Sequence, residues 1–383
     1  MIQVEKVTSK QEMKDFLAFT SSLYQSDSSW IEPLYLERKE HFSEKNPATE
    51  HIEWQAWIAK KAGKVVGRIT AQIDILHRER YGTDTGHFGT IDAIDDPEVF
   101  SALFAAAEAW LTSKGALKIT GPFGLNINQE SGLLIEGFDT PPSTMMPHGK
   151  PYYAAAMEKQ GYSKGIDLLA YWMRIDEVHF SPSLTRLMAQ VSKNVTIRRL
   201  DRKKFNEEMQ VLRQIFNSGW QHNWGFVPFT ENEFAIMGDQ LKFLVPDDMI
   251  YIAEVDGNPI AFIVGMPNIN EAIADINGKV LPFGWAKLLW RLKVSGVHTT
   301  RVPLMGVREE YQFSRTGPVI ALLLIEALRA AFARRKIEAL EMSWILESNV
   351  GMRKILARIG AISYKRYRLY EKDLTANKAS NIE

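Results

Sequence analysis

Two stretches of this 383-residue sequence concentrate side chains that can move protons or hold polar groups. The first runs from Gly121 to Tyr153 and carries Glu130 and His148. A carboxylate and an imidazole are the usual general bases, and burial and neighbouring charge decide which of them is tuned for the task. Tyr152 and Tyr153 close the same stretch, each with a hydroxyl to donate a hydrogen bond or position a head group. The second stretch, Asn217 to Pro228, offers His222, Asn223 and Trp224 as another polar cluster. Every one of these has a structural alternative. A loop Glu is commonly solvated, His148 between Pro147 and Gly149 reads as a turn residue, and Trp220 and Trp224, four apart, read as one core-facing helix stripe. With no Cys, thiolate nucleophiles, thiolate metal sites and disulfides are excluded, and the eight His show no ligand spacing, so no metal is expected.

The elements that must position these residues are written twice. Ile58 to Ile69 reads strand, Gly turn, strand, and Ile252 to Ile263 repeats it with the Ile-Ala pair, the turn Gly and the final Ile at identical offsets. Ala156 to Tyr162 and Ile355 to Ala361 both read as a helix end, a Gly suited to a left-handed C-cap, and the start of a strand. Around these landmarks the first half gives a strand from Ile2 to Val7, a helix from Lys10 to Leu23, a strand near 87–94, a helix opening at Pro97, and a short strand at Leu117 to Thr120. The second half gives a strand at Val195 to Leu200, a helix from Lys203, a strand at Thr299 to Val307, a long helix from Pro318, a strand from Ala339, a helix from Asn349, and a last strand at Ser363 to Tyr370. The expected organisation is α/β. An N-terminal domain spans 1–178 with the long loop 121–153, a C-terminal domain spans 190–374, and 375–383 is a polar tail. Each domain is a mixed sheet flanked by helices, with the function expected between or across the halves.

This order of elements resembles the GNAT superfamily of acyltransferases. Asn349, Met352, Ile355, Arg358, Gly360 and Ala361 sit at that family's spacings. The resemblance implies an acyl thioester donor, acyl-CoA or an acyl carrier protein. It implies that Asn349 meets the pantetheine arm and that Gln312, Arg315, Thr316 and Gly317 form the turn holding the pyrophosphate, at a helix N-terminus where amides favour anions. This chain departs from the pattern in three ways. Leu356 stands where the family often has the Tyr that protonates the leaving thiolate, a second turn Gly is absent, and Pro318 removes an N–H. The matching place in the first half, Asp92 to Glu98, has no Gly and is acidic, so at most one half is expected to keep a donor site.

The long first-half loop, the stretch 217–228 and Arg301 to Val307 are similar to a bacterial family that includes the GNAT-type ceramide synthases. What this implies is N-acylation of a long-chain, sphingoid-like amine. Glu130, His148 and Tyr152 would be the catalytic groups, and Asn126, Asn128, Tyr153, Trp220, Asn223 and Trp224 the acceptor site. Two rivals stand beside it. One is a tandem transferase using aminoacyl-tRNA. The other is a non-catalytic lipid or metabolite sensor, which the missing Tyr and altered turn support.

Bulk properties bound these readings. Forty-six basic residues balance 46 acidic ones, so no nucleic-acid partner is expected. The N-terminus lacks the charged and apolar regions of a signal peptide, and the expected location is cytoplasmic, with peripheral contact at the inner face of the membrane. That contact is expected from residues 283–293, where Trp285, Leu288, Leu289 and Leu292 recur at i, i+3, i+4 and i+7 with Lys287, Arg291 and Lys293 off that face.

Overall fold

The computed structural model describes residues 1–375, so the expected polar tail lies, beyond Thr375, outside the described residues. The repeated spacing becomes repeated structure at the hairpins. Ala62 and Gly63 turn with φ of +50° and +75°, and Asp256 and Gly257 with +51° and +76°. Two successive left-handed residues are what a tight hairpin turn needs to match strand twist, and Gly supplies the second at no steric cost. Gly161 and Gly360 likewise follow their helices with φ of +82° and +94°.

The described residues fold into two compact units, Met1–Leu168 with Ile276–Lys279 and 365–375, and Leu169–Asp275 with Val280–Tyr364. The first unit contains β1 (Ile2–Lys6), α1 (Lys10–Leu23), α2 (Tyr35–His41), β2 (Ile52–Lys61), β3 (Lys64–Asp74), α3 (Ile75–Tyr81), β4 (Thr85–Ala93), α4 (Pro97–Ser113), β5 (Lys118–Phe123), β6 (Leu133–Glu136), α5 (Tyr153–Lys159) and the first half of β7 (Ser163–Arg174). The second contains the rest of β7, α6 (Pro182–Val191), β8 (Thr196–Arg199), α7 (Phe205–Trp220), α8 (Glu231–Leu244), β9 (Ile250–Val255), β10 (Asn258–Pro267), α9 (Ile269–Ile273), α10 (Gly284–Trp290), β11 (Thr299–Val307), α11 (Glu309–Gln312), α12 (Gly317–Arg334), β12 (Ala339–Leu346), α13 (Val350–Arg358) and the opening residues of β13 (Ile362–Asp373).

In the first unit β1 to β4 form an antiparallel run, β4 pairs β5 in parallel, and β13 closes against β5 with Tyr370 opposite Gly121. In the second unit β8 to β11 run antiparallel and β11 pairs β12 in parallel. The last strand of the chain, most of β13, thus completes the sheet of the first unit. Its Lys365 is buried there, with its ammonium bonded to the carbonyls of Gly137 and Thr140. Most of the stretch between the two expected domains, 179–189, lies in α6, whose Ser181 caps the Leu184 amide ahead of Pro182.

Each unit has its own core. Phe88, Phe100, Phe104, Leu103 and Met157 fill the first. Phe262, Ile263, Leu324, Leu328 and Phe332 fill the second. Each such side chain, fully buried, contributes about 1.5–3 kcal/mol by its removal from water.

Candidate functional site

In the second unit β11 and β12 run together from Thr299↔Ala339 to Val302↔Met342, and there the ladder ends. The next residue of β11 is Pro303, which has no N–H to donate, so a paired neighbour could not be satisfied at that point. Beyond it the facing edges of β11 and β12 stay free of each other, an arrangement able to take a linear, amide-bearing arm by strand-like hydrogen bonding.

A buried polar cluster stands where the strands part. Arg301 Nε donates to Ser343 Oγ at 2.9 Å and its Nη2 donates to the Ser343 carbonyl at 3.2 Å. Glu341, fully buried, lies 3.7 Å from Arg301 Nε and accepts from the hydroxyls of Ser343 and Tyr364. These four residues were not singled out as site residues from the sequence. A signal was present, for charged and polar residues at alternate positions in the otherwise apolar run Ala339 to Trp344 are costly to bury unless paired.

The turn expected to hold a pyrophosphate is closed on itself. Ser314 Oγ accepts from the amides of Thr316 at 3.3 Å and Gly317 at 3.1 Å. The amides of Val319 and Ile320 both go to the Thr316 carbonyl at 2.9 Å. Gln312 Nε2 donates to the carbonyls of Val307 and Gly219, and Arg315 is exposed. Gly317 is needed by the turn itself, since a Cβ there would lie 2.2 Å from the Tyr311 carbonyl oxygen. Asn349 serves as the N-cap of α13, accepting from the Met352 amide at 3.0 Å.

This turn and the stretch 217–224 do come together. His222 Nε2 is 2.7 Å from Glu309 Oε1, and Ser218 Oγ accepts from the Glu309 amide at 3.3 Å. Trp220 Nε1 donates to the Met305 carbonyl at 2.9 Å, tying α7 to β11 just past the parting. The Trp220 ring stacks on Phe216, while Asn223 and Trp224 are half-buried.

In the first unit the long loop is ordered around ion pairs. Arg38 grips both Glu130 oxygens, one at 3.0 Å. Burial works to raise Glu130, but the Arg38 charge and hydrogen bonds hold it below the usual carboxylate range. Both oxygens are therefore spent on the guanidinium, which leaves Glu130 a weak base. Burial drives the adjacent His41 down to about 4. Tyr152 donates to the Ala93 carbonyl at 2.7 Å, and burial pushes its phenol up to about 12. The buried Tyr153 hydroxyl accepts from the Ala93 amide at 3.1 Å and faces Asp92, which also receives Tyr24 at 2.8 Å and Arg68 at 2.7 Å. Asn126 lies elsewhere in this unit, its side chain bridging the Asn128 amide at 3.0 Å and Asp74 at 3.4 Å.

His148 has a different environment. Its Nε2 meets Asp27 Oδ2 at 3.2 Å, and its ring packs edge-on to Tyr24 with centroids 5.7 Å apart. That contact assigns the proton of the neutral ring to Nε2 and the lone pair to Nδ1, which is buried and meets no hydrogen-bond partner among the described residues. Burial lowers His148 below the ordinary imidazole range, outweighing the pull of Asp27, so the ring is neutral at pH 7. Burial also works to raise Asp27, but hydrogen bonds from Lys150 and His148 bring it below the usual range.

No protein-family model matches the chain. It is 74% identical over 371 residues to protein YghO of Escherichia coli K12, covering 97% of this chain and 95% of that one. It is 43% identical over 377 residues to the bacterial ceramide synthase of Caulobacter vibrioides, covering 97% and 98%. Among solved structures, a tandem GNAT protein from the clavulanic acid biosynthesis pathway superposes with a TM-score of 0.54 over 98% of this chain and 99% of that one, at 12% identity. The doubled architecture, the parted parallel strands and these likenesses agree: the chain belongs to the bacterial ceramide synthase family and is an N-acyltransferase of tandem GNAT fold.

Proposed function

We propose that the protein transfers an acyl group from a thioester, acyl-CoA or acyl carrier protein, to the amine of a long-chain, sphingoid-like acceptor. The observation that carries the donor side is the end of the β11–β12 ladder at Val302↔Met342; past it the Met305 and Val307 carbonyls accept from Trp220 and Gln312, so the β11 groups offered to a pantetheine arm are the amides of those two residues. With its turn amides already bonded, the α12 N-terminus offers an incoming phosphate the exposed Arg315 side chain in place of a backbone cradle. The relative named a ceramide synthase supports the acceptor class.

In the reaction the amine nitrogen bonds to the thioester carbonyl carbon, the C–S bond breaks, and the thiolate leaves. The amine loses one proton and the thiolate takes one up, so the balance closes on an amide and a free thiol. Among the candidate bases, His148 has the required state: neutral, oriented by Asp27, with the Nδ1 lone pair unspent. Tyr152 and Glu130 are positioning groups on this reading, since each is committed to a partner.

The test is incubation of the purified protein with a long-chain acyl-CoA, or the matching acyl carrier protein, and sphinganine. Thiol release and N-acyl product are read by mass spectrometry, with a short-chain amine in parallel. Amide from the long-chain amine, and little from the short one, is the expected result. A folded protein that forms no amide from either donor contradicts the proposal. His148→Gln should lower turnover about 10²–10⁴-fold, the usual contribution of general-base catalysis, with donor binding unchanged. Asp27→Asn should lower kcat more than it changes KM and shift the acid limb of the profile further down, because it removes the charge that raises the His148 pKa.

A further inference from the structure

We infer that residues 281–294 of the second unit form a docking surface for the face of an anionic lipid bilayer. The helix α10 runs on into one π-helical turn, Arg291–Ser295, and no residue of either is buried. The element is apolar on two sides. Of the face that the sequence pattern offers to a membrane, Leu288, Leu289 and Leu292 are half-buried and Trp285 is exposed. The opposite side carries Phe283, Ala286, Trp290 and Val294 at i, i+3, i+7 and i+11, a second stripe, and all four are exposed. Phe283 is 79% exposed, Trp290 60% and Val294 62%, with Leu281 at 71% just before them. Large apolar side chains this open, and this close together, mark an interaction surface.

Charge indicates which partner. Lys287, Arg291 and Lys293 flank the outer stripe, and no Asp or Glu occurs between Asp275 and Glu309. Asp275 bonds Lys287 and takes Arg291 at 2.6 Å, while Arg291 also reaches the Ala272 carbonyl at 2.8 Å, so the helix is pinned from its polar flank with the stripe turned out. Lys293 bonds the Phe243 carbonyl at 2.6 Å and lies over its ring, extending the patch to another exposed aromatic, 54% open. Aromatic and aliphatic groups rimmed by net positive charge fit an interface where rings sit at headgroup depth and cations meet phosphate. No helix among the described residues is long and apolar enough to cross a membrane, so the contact is with the surface.

The experiment is co-sedimentation of the full chain with phosphatidylcholine vesicles, with and without phosphatidylglycerol. Wild type is compared with a Phe283→Ser/Trp290→Ser/Val294→Ser variant and with Lys293→Glu, and gel filtration and thermal unfolding run alongside. The expected result is binding of wild type to the anionic vesicles, weakened about tenfold or more in the triple variant. Lys293→Glu should lose affinity only where phosphatidylglycerol is present, and unfolding temperatures should be unchanged. Equal binding by wild type and the triple variant, or no binding by wild type, overturns the inference. So does a wild-type dimer that the triple variant splits while neither touches vesicles, which makes the patch an interface between copies. None of these readouts depends on turnover, so the inference can fail while the proposed reaction stands.

Discussion

The two halves place a polar pair at the same step of the same parallel ladder and use it differently. In the first unit the ladder starts at Thr85↔Lys118, and two residues on, His87 bonds Thr120 at 2.8 Å, a neutral pair. In the second it starts at Thr299↔Ala339, and two residues on, Arg301 faces Glu341, a charged pair tied to Ser343 and Tyr364. One step further the halves diverge. Gly89 stays against Phe123, so closely that a Cβ would lie 1.7 Å from the Phe123 carbonyl oxygen, whereas Pro303 ends the pairing with β12. The repeated architecture is therefore kept shut at this place in one half and open in the other. The same contrast runs through the histidines. Burial lowers His41, His77, His87 and His148 in the first unit, while His179, His222 and His298 of the second are all exposed.

The largest expected effect is at the charged pair. Glu341→Gln removes the buried carboxylate charge 3.7 Å from Arg301 Nε, a loss of about 3–5 kcal/mol in denaturant unfolding. Joint replacement by apolar residues, Arg301→Met with Glu341→Leu, should recover much of it. Thr120→Val in the first unit strands only a neutral ring nitrogen and should cost about 1–3 kcal/mol. Equal losses at Glu341 and Thr120 would erase the distinction between the halves.

Gly89→Ala forces a methyl into the Phe123 carbonyl and should cost about 1–3 kcal/mol or more, whereas Pro303→Ala, which has no ladder bond to break, should cost about 0.4–1 kcal/mol. A benign Gly89→Ala would mean that β4 and β5 are not held shut there.

A further effect is one of pH. Burial brings His87 to about 3 and His41 to about 4, below an unfolded value of about 6.5. The unfolded chain thus binds protons the folded first unit refuses. Stability is full above that value and falls as pH drops through it, by at most about 1.4 kcal/mol per pH unit for each histidine. Hydrogen exchange of the first unit should rise on acidification from pH 7 to 5 ahead of the second; synchronous change would contradict this.

Much of this architecture is legible in the sequence because local chemistry fixes it. Gly63 and Gly257 fix the hairpins, Pro97 opens α4, and Thr299 to Val307 is a strand with the bounds its pattern gives. What stayed hidden depends on distant partners. Nothing near Tyr370 says that β13 pairs with Gly121. Nothing near Glu130 says that Arg38 will take both its oxygens. The run Ala339 to Trp344 signals a buried polar position, but that Arg301 is the charge facing Glu341 depends on the register with the opposite strand. Gln312 and Gly317 drew notice as a phosphate turn, yet their donors and their lack of a side chain serve the turn's own packing.

The central claim, that the second half alone holds the thioester arm, is tested most directly by hydrogen exchange with a non-hydrolysable acyl-CoA analogue. New protection is expected at the amides of Met305 and Val307, which face away from β10, and at Trp344 to Leu346, with none gained at His87 to Ala93 or Lys118 to Phe123. Protection confined to the first-unit strands, with β11 and β12 unchanged, would contradict it.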